Sequence, residues 1–483
     1  MADAPFQNDN IEILVADLLA GDGSNIDIRF SISDFTFREN IFTQCMSGTL
    51  SIMDGIALID KLPIIGEEFF TIRFRTPESG NVYITKTFAV YNVKNRVKIN
   101  DKLEHYTLNL ISLEGIINTR TNVNQNYIGL SYDEIAKKVF EDYIQGSQLK
   151  GGPQQISYMH IPKFKKSLET EKTSGLKSMT TVGDTPFKII QRCANLAQSN
   201  DYPDSDYVFY EDRDQFNFTP LSVLLEQDPV PQGEYLMGDH GIDEENIKKG
   251  GKYRYNLVNQ FEYNAAPNTL ENSSNGMYGN QIHAFDPILK KRKTIVNNYI
   301  KIQNDKKIPS FKTLDKNNLT SQQSIYADDN GSSHSHYYIN NIFEKNYEEI
   351  DYMKDRIKQD NDRYLFHQDD AYKSRGRTAI KFSLLNNYTL TIAVGGNTNL
   401  KVGQVVNLKI PLSSDLEDDK LKPYSHLFGN DTSNKFLITT LNHNYIGHER
   451  RFFTVLTLAK DSYFNNVDTV YDGKLRKNVA TFT

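Results

Sequence analysis

From Glu68 onward the chain alternates: Phe70, Ile72 and Phe74 fall on one side and Thr71, Arg73 and Arg75 on the other. A period of two with one apolar face predicts a half-buried β-strand. The first 118 residues carry this pattern throughout. IDIRFSIS (26–33) sets Ile26, Ile28, Phe30 and Ile32 against Asp27, Arg29, Ser31 and Ser33. GTLSIMDG (48–55) ends on an Asp-Gly turn signal, and VYITKTFAVYNV (82–93) and HYTLNLISLEG (105–115) follow. Five or six short strands with turn signals between them predict a small barrel or sandwich.

At Thr119 the period changes. SYDEIAKKVFEDYI (131–144) reads as a helix with a Ser131/Glu134 capping box and Ile135, Val139, Phe140 and Tyr143 on one face. Residues 145–180 are polar and rich in Gly, Ser and Lys, which predicts an exposed insertion. TPFKIIQRCANLA (185–197) predicts a second helix, with Thr185 as cap, Pro186 in the first turn and Phe187, Ile190, Ala194 and Ala197 as its buried stripe. YVFYEDRDQFNFTP (207–220) reads as a hairpin turning at EDRD, followed by a short helical LSVLLEQ. Strand character returns in YRYNLVNQFEYN, then an Asn-, Ser- and Gly-rich loop over 268–280 and a weakly patterned polar stretch over 290–340. A longer helix is predicted around 343–373, with Ile350, Met353 and Ile357 on one side, and β structure from Arg375 to about 463.

Part of this β region repeats the first. The glycine-and-strand figure LPIIGEEFFTIRFRTP (62–77) returns as LKVGQVVNLKIP (400–411). KFLITTLNHNY (435–445) then matches TFAVYNVKNRV (87–97), with Phe88 against Phe436, Val90 against Ile438 and Val93 against Leu441. FFTVLTLA (452–459) matches HYTLNLIS (105–112), with Tyr106 against Phe453, Thr107 against Thr454 and Leu108 against Val455. Phe88 to Tyr106 is 18 residues and Phe436 to Phe453 is 17, while the glycine-to-Phe spacing grows from 22 to 33 across a polar loop at 413–434. Identity is low, the strands after Gly66 and Gly403 are one residue out of phase, and alternating strands resemble one another by chance. Three elements in one order nevertheless predict two similar β domains with an α+β domain inserted between or into them.

At 483 residues the chain exceeds one ordinary core and predicts about three domains. Its 28 Tyr and 27 Phe, without Trp, suit β-rich domains and protein-facing surfaces. A net charge of −6 argues against a dedicated nucleic-acid binder. Cys45 and Cys193 are too few for a disulfide framework and predict reduced thiols. The longest apolar run, ILVADLLA (13–20), is too short to span a bilayer, and the N-terminus lacks a basic signal-peptide region. There is no G-x-x-x-x-G-K-[ST], H-E-x-x-H, G-x-S-x-G or C-x-x-C motif. His334 and His336 lie in a Gly/Ser-rich stretch and predict a solvated loop rather than a metal site. His443 and His448 flank an expected turn and predict a turn or interface role. The basic clusters KFKK (163–166) and KKRK (290–293) read as solvated charged faces, the alternative being contact with an acidic surface or passing nucleic acid. Acids are numerous and unpatterned, so no pair is singled out for glycoside hydrolysis. No catalytic, cofactor-binding or metal residue is assigned.

FTQCMSGTLSIMDGIALIDKLPIIGEEFFTIRFRTP (42–77) resembles the first barrel of the baseplate hub protein of T-even-like contractile-tailed phages. DTPFKIIQRCANLAQ and YVFYEDRDQFNF (within 184–218) look like that family's interior domain, and NLKVGQVVNLKIP with FLITTLNHNY (within 399–445) like its second barrel. The resemblance spans most of 10–460 and rests on the order of diffuse motifs. It implies a mainly β, α+β chain: a first β-barrel domain at 1–118, an α+β insert at 119–250 and 290–375, a second barrel at 251–289 and 376–462, and a tail at 463–483. It further implies a non-enzymatic, structural homotrimer, a ring of pseudo-sixfold symmetry between the hexameric tail tube or its initiator and the trimeric central spike. DNA and tape-measure protein would pass its lumen without specific binding, and baseplate wedge components are further potential contacts. No membrane insertion is implied, and the place is the virion after assembly in the host cytoplasm. Related hub regions occur in type VI secretion spikes. The stretches 145–180, 290–340 and 413–434 and the tail look long for the family. With roughly twenty residues after the second barrel, a fused hub-and-spike chain is not expected. The alternatives are a host-recognition or carbohydrate-binding tail protein and a virion cell-wall hydrolase.

Overall fold

The computed structural model describes residues 11–20, 24–61, 64, 66, 68–76, 82–145, 166–175, 177–202, 205–231, 234–237, 257–263, 269–286, 290–298, 336–340, 371–387, 389–409 and 435–461. The alternating segments at the start become β1 (Glu12–Leu19), β2 (Asn25–Asp27), β3 (Ile32–Asn40), β4 (Ser47–Asp54), β5 (Phe69–Arg75), β6 (Ile84–Asn100) and β7 (Leu103–Ser112), with short helices α1 (Leu58–Lys61) and α2 (Leu113–Arg120). They pair antiparallel in the order β3-β4-β7-β6-β5-β1-β2. Phe70, Ile72 and Phe74 are fully buried against Phe35, Leu50, Phe88 and Leu108, as the period of two requires. Each such side chain contributes about 1.5–3 kcal/mol by leaving water. Asp54 ends β4 because its carboxylate accepts from the amides of Ile56, Leu58 and Ile59 at 3.0, 2.9 and 3.2 Å.

Two expectations fail here. The segment 26–33 is not one strand: the chain turns over Arg29–Ser31, and Phe30 is 96% exposed. The Asp27 carboxylate takes the Arg29 amide at 3.0 Å and the Arg29 guanidinium at 2.6 Å, a local alternative to the strand ladder. The strand expected through Gly115 stops at Ser112, and Leu113 begins α2.

The central block comprises β8 (Val123–Leu130), α3 (Tyr132–Val139) with a π-helical turn over Phe140–Gln145, β9 (Leu168–Thr170), β10 (Lys177–Asp184), α4 (Pro186–Leu196), β11 (Tyr207–Glu211), β12 (Phe216–Pro220) and α5 (Leu221–Glu226). The capping box is made, with the Ser131 amide donating to Glu134 Oε2 at 2.9 Å. The predicted hairpin pairs Phe209 with Phe218, and Phe187 and Phe140 pack on it at ring distances of 5.3 Å to Phe209 and 5.0 Å to Phe216. Residues 145–180 are not all exposed insertion: β9 pairs parallel with β12 and β10 pairs with β8. Leu168 and Met179 supply their buried contacts, too isolated in polar sequence to show a period.

The chain then lays down β13 (Glu234–Met237) and β14 (Leu257–Tyr263). It departs into a separate three-stranded sheet of β15 (Gly279–Asp286), β16 (Lys291–Asn298) and β17 (His336–Asn340), and returns as β18 (Thr389–Gly395), β19 (Val405–Lys409), β20 (Lys435–Ile446) and β21 (Arg451–Ala459). The loop expected over 268–280 contains a helix at Thr269–Ser274, and the weakly patterned 290–340 contains β16 and β17. Helix Ala371–Asn387 stands where strand was expected from Arg375. The helix expected over 343–373 lies outside the described residues up to 370, as do the loop 413–434 and the tail 463–483.

The second set of strands reproduces the first. Six strands run β3-β4-β7-β6-β5-β1 in one unit and β14-β18-β21-β20-β19-β13 in the other, and each strand matches its counterpart in chain order too. The bulge between Val90 and Asn92 in β6 recurs between Ile438 and Thr440 in β20. The bulge between Ile32 and Asp34 in β3 recurs between Val258 and Gln260 in β14. The match of β7 to β21 needs correction by one residue. Val93 pairs with Leu108 and Leu441 with Leu456, so Leu108 corresponds to Leu456 and not to Val455. Leu108 and Leu456 are both fully buried, and a slip of one would turn the strand inside out. Likewise Phe70 corresponds to Val406, since they pair with Phe88 and Phe436. The units differ at one strand: β1 is antiparallel to β5, whereas β13 is parallel to β19 and β14. Because β19 pairs with β20 as well as β13, the second unit's pairings run in a cycle. The two units join in one 13-stranded sheet.

Gly66 and Gly403 precede equivalent strands, and both have positive φ, +92° and +83°. A Cβ on Gly403 would overlap the Tyr210 hydroxyl. Gly403→Ala is expected to cost about 1–3 kcal/mol in urea unfolding, less in a Tyr210→Phe background. An equal cost in both backgrounds would show that Tyr210 plays no part. Phe70→Asp places an unpaired charge in the first core and is expected to abolish soluble folded protein, while Phe70→Leu keeps it. Native-like circular dichroism from Phe70→Asp would contradict the burial of this face.

Candidate functional site

The residues that join the two units bring strand pairing, aromatic packing and buried charge together. β20 gives one edge to β21 and divides the other: Lys435–Leu437 pair with β19 and Thr440–Ile446 with β3. The switch falls at the bulge, where the Thr439 carbonyl accepts the Ile41 amide at 3.0 Å. Thr36 Oγ1 donates to Asn444 Oδ1 at 2.9 Å, and the Gly447 amide to the Ser33 carbonyl at 2.7 Å. Phe452 of the second unit belongs to the first unit's core, 5.6 Å from Phe74 and 6.5 Å from Phe35, and Tyr445 lies 5.2 Å from Phe35.

His443 sits in this seam. Its ring stacks on Phe452 at 5.7 Å, and Nδ1 lies 3.3 Å from Thr454 Oγ1. Burial, with the charge of Arg213 adding to it, pulls its pKa down to about 3, so the buried imidazole is neutral. His443 is therefore an interface residue inside a strand, whereas His448 stands in the exposed hairpin turn, 3.3 Å from Glu449.

Beside the aromatic seam lies a buried ionic layer shared by both units and the central block. Glu39 of β3 is 1% exposed and accepts the Val402 amide at 3.2 Å. Lys86 of β6 is 5% exposed and lies 3.7 Å from Glu211, which also binds Lys166 and accepts the Met46 amide at 2.7 Å. Arg213 donates to the Thr398 carbonyl, and at the solvent-facing rim Lys401 pairs with the half-exposed Asp214. Burial pushes Glu39 up to about 7, and burial together with Lys166 brings Lys86 down to about 7. Burial also acts to raise Glu211, but Lys166 and Lys86 outweigh it and hold its carboxyl below the usual range. The KFKK cluster is thus not simply a solvated face, since Lys166 is built into this layer; 163–165 lie outside the described residues. In KKRK, Lys290, Arg292 and Lys293 are exposed at the start of β16, with Arg292 2.8 Å from His283. His334 lies outside the described residues, and His336 begins β17.

Sequence reading missed the ionic layer, although a signal was present. Lys86 shares a face with Ile84, Phe88 and Val90, and Glu39 with Phe35 and Phe37: a charge on an apolar face demands a buried partner. A second buried cluster, Ser222 with Lys381 at 2.7 Å and Asp206 at 3.1 Å, has the composition of a serine–lysine nucleophile. Ser222 and Asp206 are fully buried, and the cluster clasps helix Ala371–Asn387 to α5.

No family model matches the chain, and neither does any curated protein. Among solved structures it is similar to a tail protein from Neisseria meningitidis (11% identity, 93% of this chain and 97% of that one, TM-score 0.49). It is also similar to a 43 kDa prophage tail protein from Shewanella oneidensis (10%, 92% and 98%, 0.48). A third likeness is to an Escherichia coli type VI secretion component (8%, 94% and 77%, 0.43), itself described as similar to T4 bacteriophage tail proteins.

Because His443 is neutral in the fold and protonates near 6.5 when unfolded, its contribution is complete above pH 6.5 and is lost as pH falls toward 3. The loss is about 1.4 kcal/mol per pH unit within that window. Urea midpoints of wild type and His443→Gln between pH 7 and 4.5 are expected to converge as the solution is acidified; parallel curves would contradict a buried neutral imidazole.

Proposed function

We propose that the chain is a structural hub of a contractile-tail baseplate, and that three copies form a ring between a hexameric tail tube and a trimeric central spike. The carrying observation is the duplicated six-strand order with its two shared bulges. Two like units per chain turn three chains into six like surfaces, which is what a threefold-to-sixfold adaptor needs. In this reading each unit acts as a small barrel, and the seam and ionic layer set the angle between them. The lumen passes DNA and tape-measure protein without specific binding. The role is non-enzymatic, and the working place is the virion, after assembly in the host cytoplasm. The same sheet edges that repeat within the chain leave the outer surfaces for spike, tube and wedge proteins.

The test is absolute mass by light scattering on the purified protein, with negative-stain images of the same fraction. A mass of three chains and rings with six lobes is the expected result. A single-chain mass at all concentrations, alone and with a spike protein added, would remove the reading.

A further inference from the structure

Ser222, Lys381 and Asp206 form a closed polar ring beside an apolar cluster. Lys381 Nζ lies 3.0 Å from Asp206 Oδ2 and 2.7 Å from Ser222 Oγ, and Ser222 Oγ lies 3.1 Å from the same Oδ2. Asp206 and Ser222 are fully buried and Lys381 nearly so. Leu221, Leu224, Leu225 and Leu385, their neighbours along the two helices, belong to one buried apolar cluster. One atom of the ring is left over: Asp206 Oδ1 is buried without a hydrogen-bond partner among the described residues. A carboxylate held out of water with one oxygen unpaired carries a large desolvation cost, which remains for as long as the pair stays ionic.

The surrounding contacts hold the amine and the carboxyl together. Ser374, Thr378 and Lys381 follow one another at helical spacing, so they share a face of helix Ala371–Asn387. The Ser374 and Thr378 hydroxyls lie 2.6 and 3.3 Å from Ser205 Oγ, which fixes that face beside Asp206. From the other side the Leu221 amide donates to the Asp206 carbonyl at 3.0 Å, which brings Ser222 to the carboxylate. Two groups fixed in contact away from water react without the entropy loss of an encounter. Full burial bars a second molecule, but not a reaction between two side chains of one chain.

We propose that Lys381 and Asp206 condense into an amide, a covalent cross-link within the folded chain. A proton passes from the Lys381 ammonium to Asp206 Oδ2, leaving a neutral amine and a carboxylic acid. The amine lone pair then forms the Nζ–Cγ bond. Ser222 Oγ takes a proton from Nζ and gives its own to Oδ2. The Cγ–Oδ2 bond breaks, Oδ2 departs as water, and the unpartnered Oδ1 becomes the amide carbonyl oxygen. One ammonium and one carboxylate become one amide and one water, so the step needs no oxidant, reductant or co-reactant. Both buried charges disappear with it. The cross-link joins positions 175 apart in sequence, tying the central block to the helix that precedes β18. A closed loop of that length restricts the unfolded chain strongly.

The test is peptide mapping by mass spectrometry on the full chain, aged in the folded state, then denatured and digested with trypsin. The expected result is a branched peptide that joins the segment around Asp206 to the segment around Lys381, lighter by one water than the two together and uncut after Lys381. Lys381→Arg and Asp206→Ala are expected to abolish it. Each of these leaves a buried charge without its partner and can fail to fold, so Ser222→Ala supplies a second arm. It keeps both reacting groups and removes the proton relay, and the branched peptide is expected to accumulate about 100-fold more slowly after refolding. Equal rates in Ser222→Ala and wild type overturn the relay. Unjoined Asp206 and Lys381 peptides from folded, aged wild type overturn the cross-link, as does a loss of water that maps instead to the Asp54–Gly55 step.

Discussion

A β-strand has two edges, and the architecture depends on how β20 spends the second of them. By splitting that edge at Thr439, one strand completes its own unit through β19 and captures the other through β3. The bulge makes this possible: an extra residue increases the local twist and re-aims the strand. Once the ladder is joined, the aromatic contacts follow from register. Tyr445 lies opposite Phe35 and His443 opposite Phe37, so the second unit's side chains enter the first unit's core. The two units therefore do not behave as independent beads on a linker; the first lacks part of its core without the second.

The ionic layer reinforces this dependence by a different physics. Glu39, Lys86 and Glu211 come from parts of the chain far apart in sequence, and each is nearly fully buried. Taking such charges out of water costs several kcal/mol apiece, and the cost is offset only when all partners are in place. Apolar residues of the same size would pack with less penalty, but they would tolerate sliding. A buried carboxylate that must meet Lys86, Lys166 and the Met46 amide together admits one arrangement of the first unit and the central block. For a protein whose proposed role is to hold a fixed angle between two like surfaces, specificity of arrangement matters more than the last increment of stability.

The repeat also shows what a duplicated unit keeps and what it gives up. Strand order, chain order and both bulges persist, because each is tied to which face of a strand is buried. The direction of the first strand differs, antiparallel in β1 and parallel in β13. β1 has one long partner, β5, whereas β13 pairs with both β19 and β14, so the two units differ at this strand in its neighbours as well as its direction. The two units are alike where they must be joined, and differ where they meet separate surroundings.

Much of this was legible in the residues. Alternation located β4, β5 and the start of β6; the capping box and the Thr-Pro-Phe start located α3 and α4; the repeated glycine and Phe positions exposed the duplication. These are local properties, set by backbone geometry and the need to bury one face, and sequence by itself determined them. It also placed Lys86 and Glu39 on apolar faces without naming a partner. Pattern failed in two ways: inside 26–33 the Asp27 carboxylate binds Arg29 where the chain turns, and Leu168 and Met179 are buried in strands of otherwise polar sequence by contacts from outside the segment. Only the tertiary structure decided which strand captures which edge, the one-residue register that sets Leu108 against Leu456, and the meeting of Glu39, Lys86 and Glu211 in one layer. The physical reason is that period and propensity fix which face is buried, whereas the identity of the neighbour is a long-range choice made by bulges and buried charges acting together.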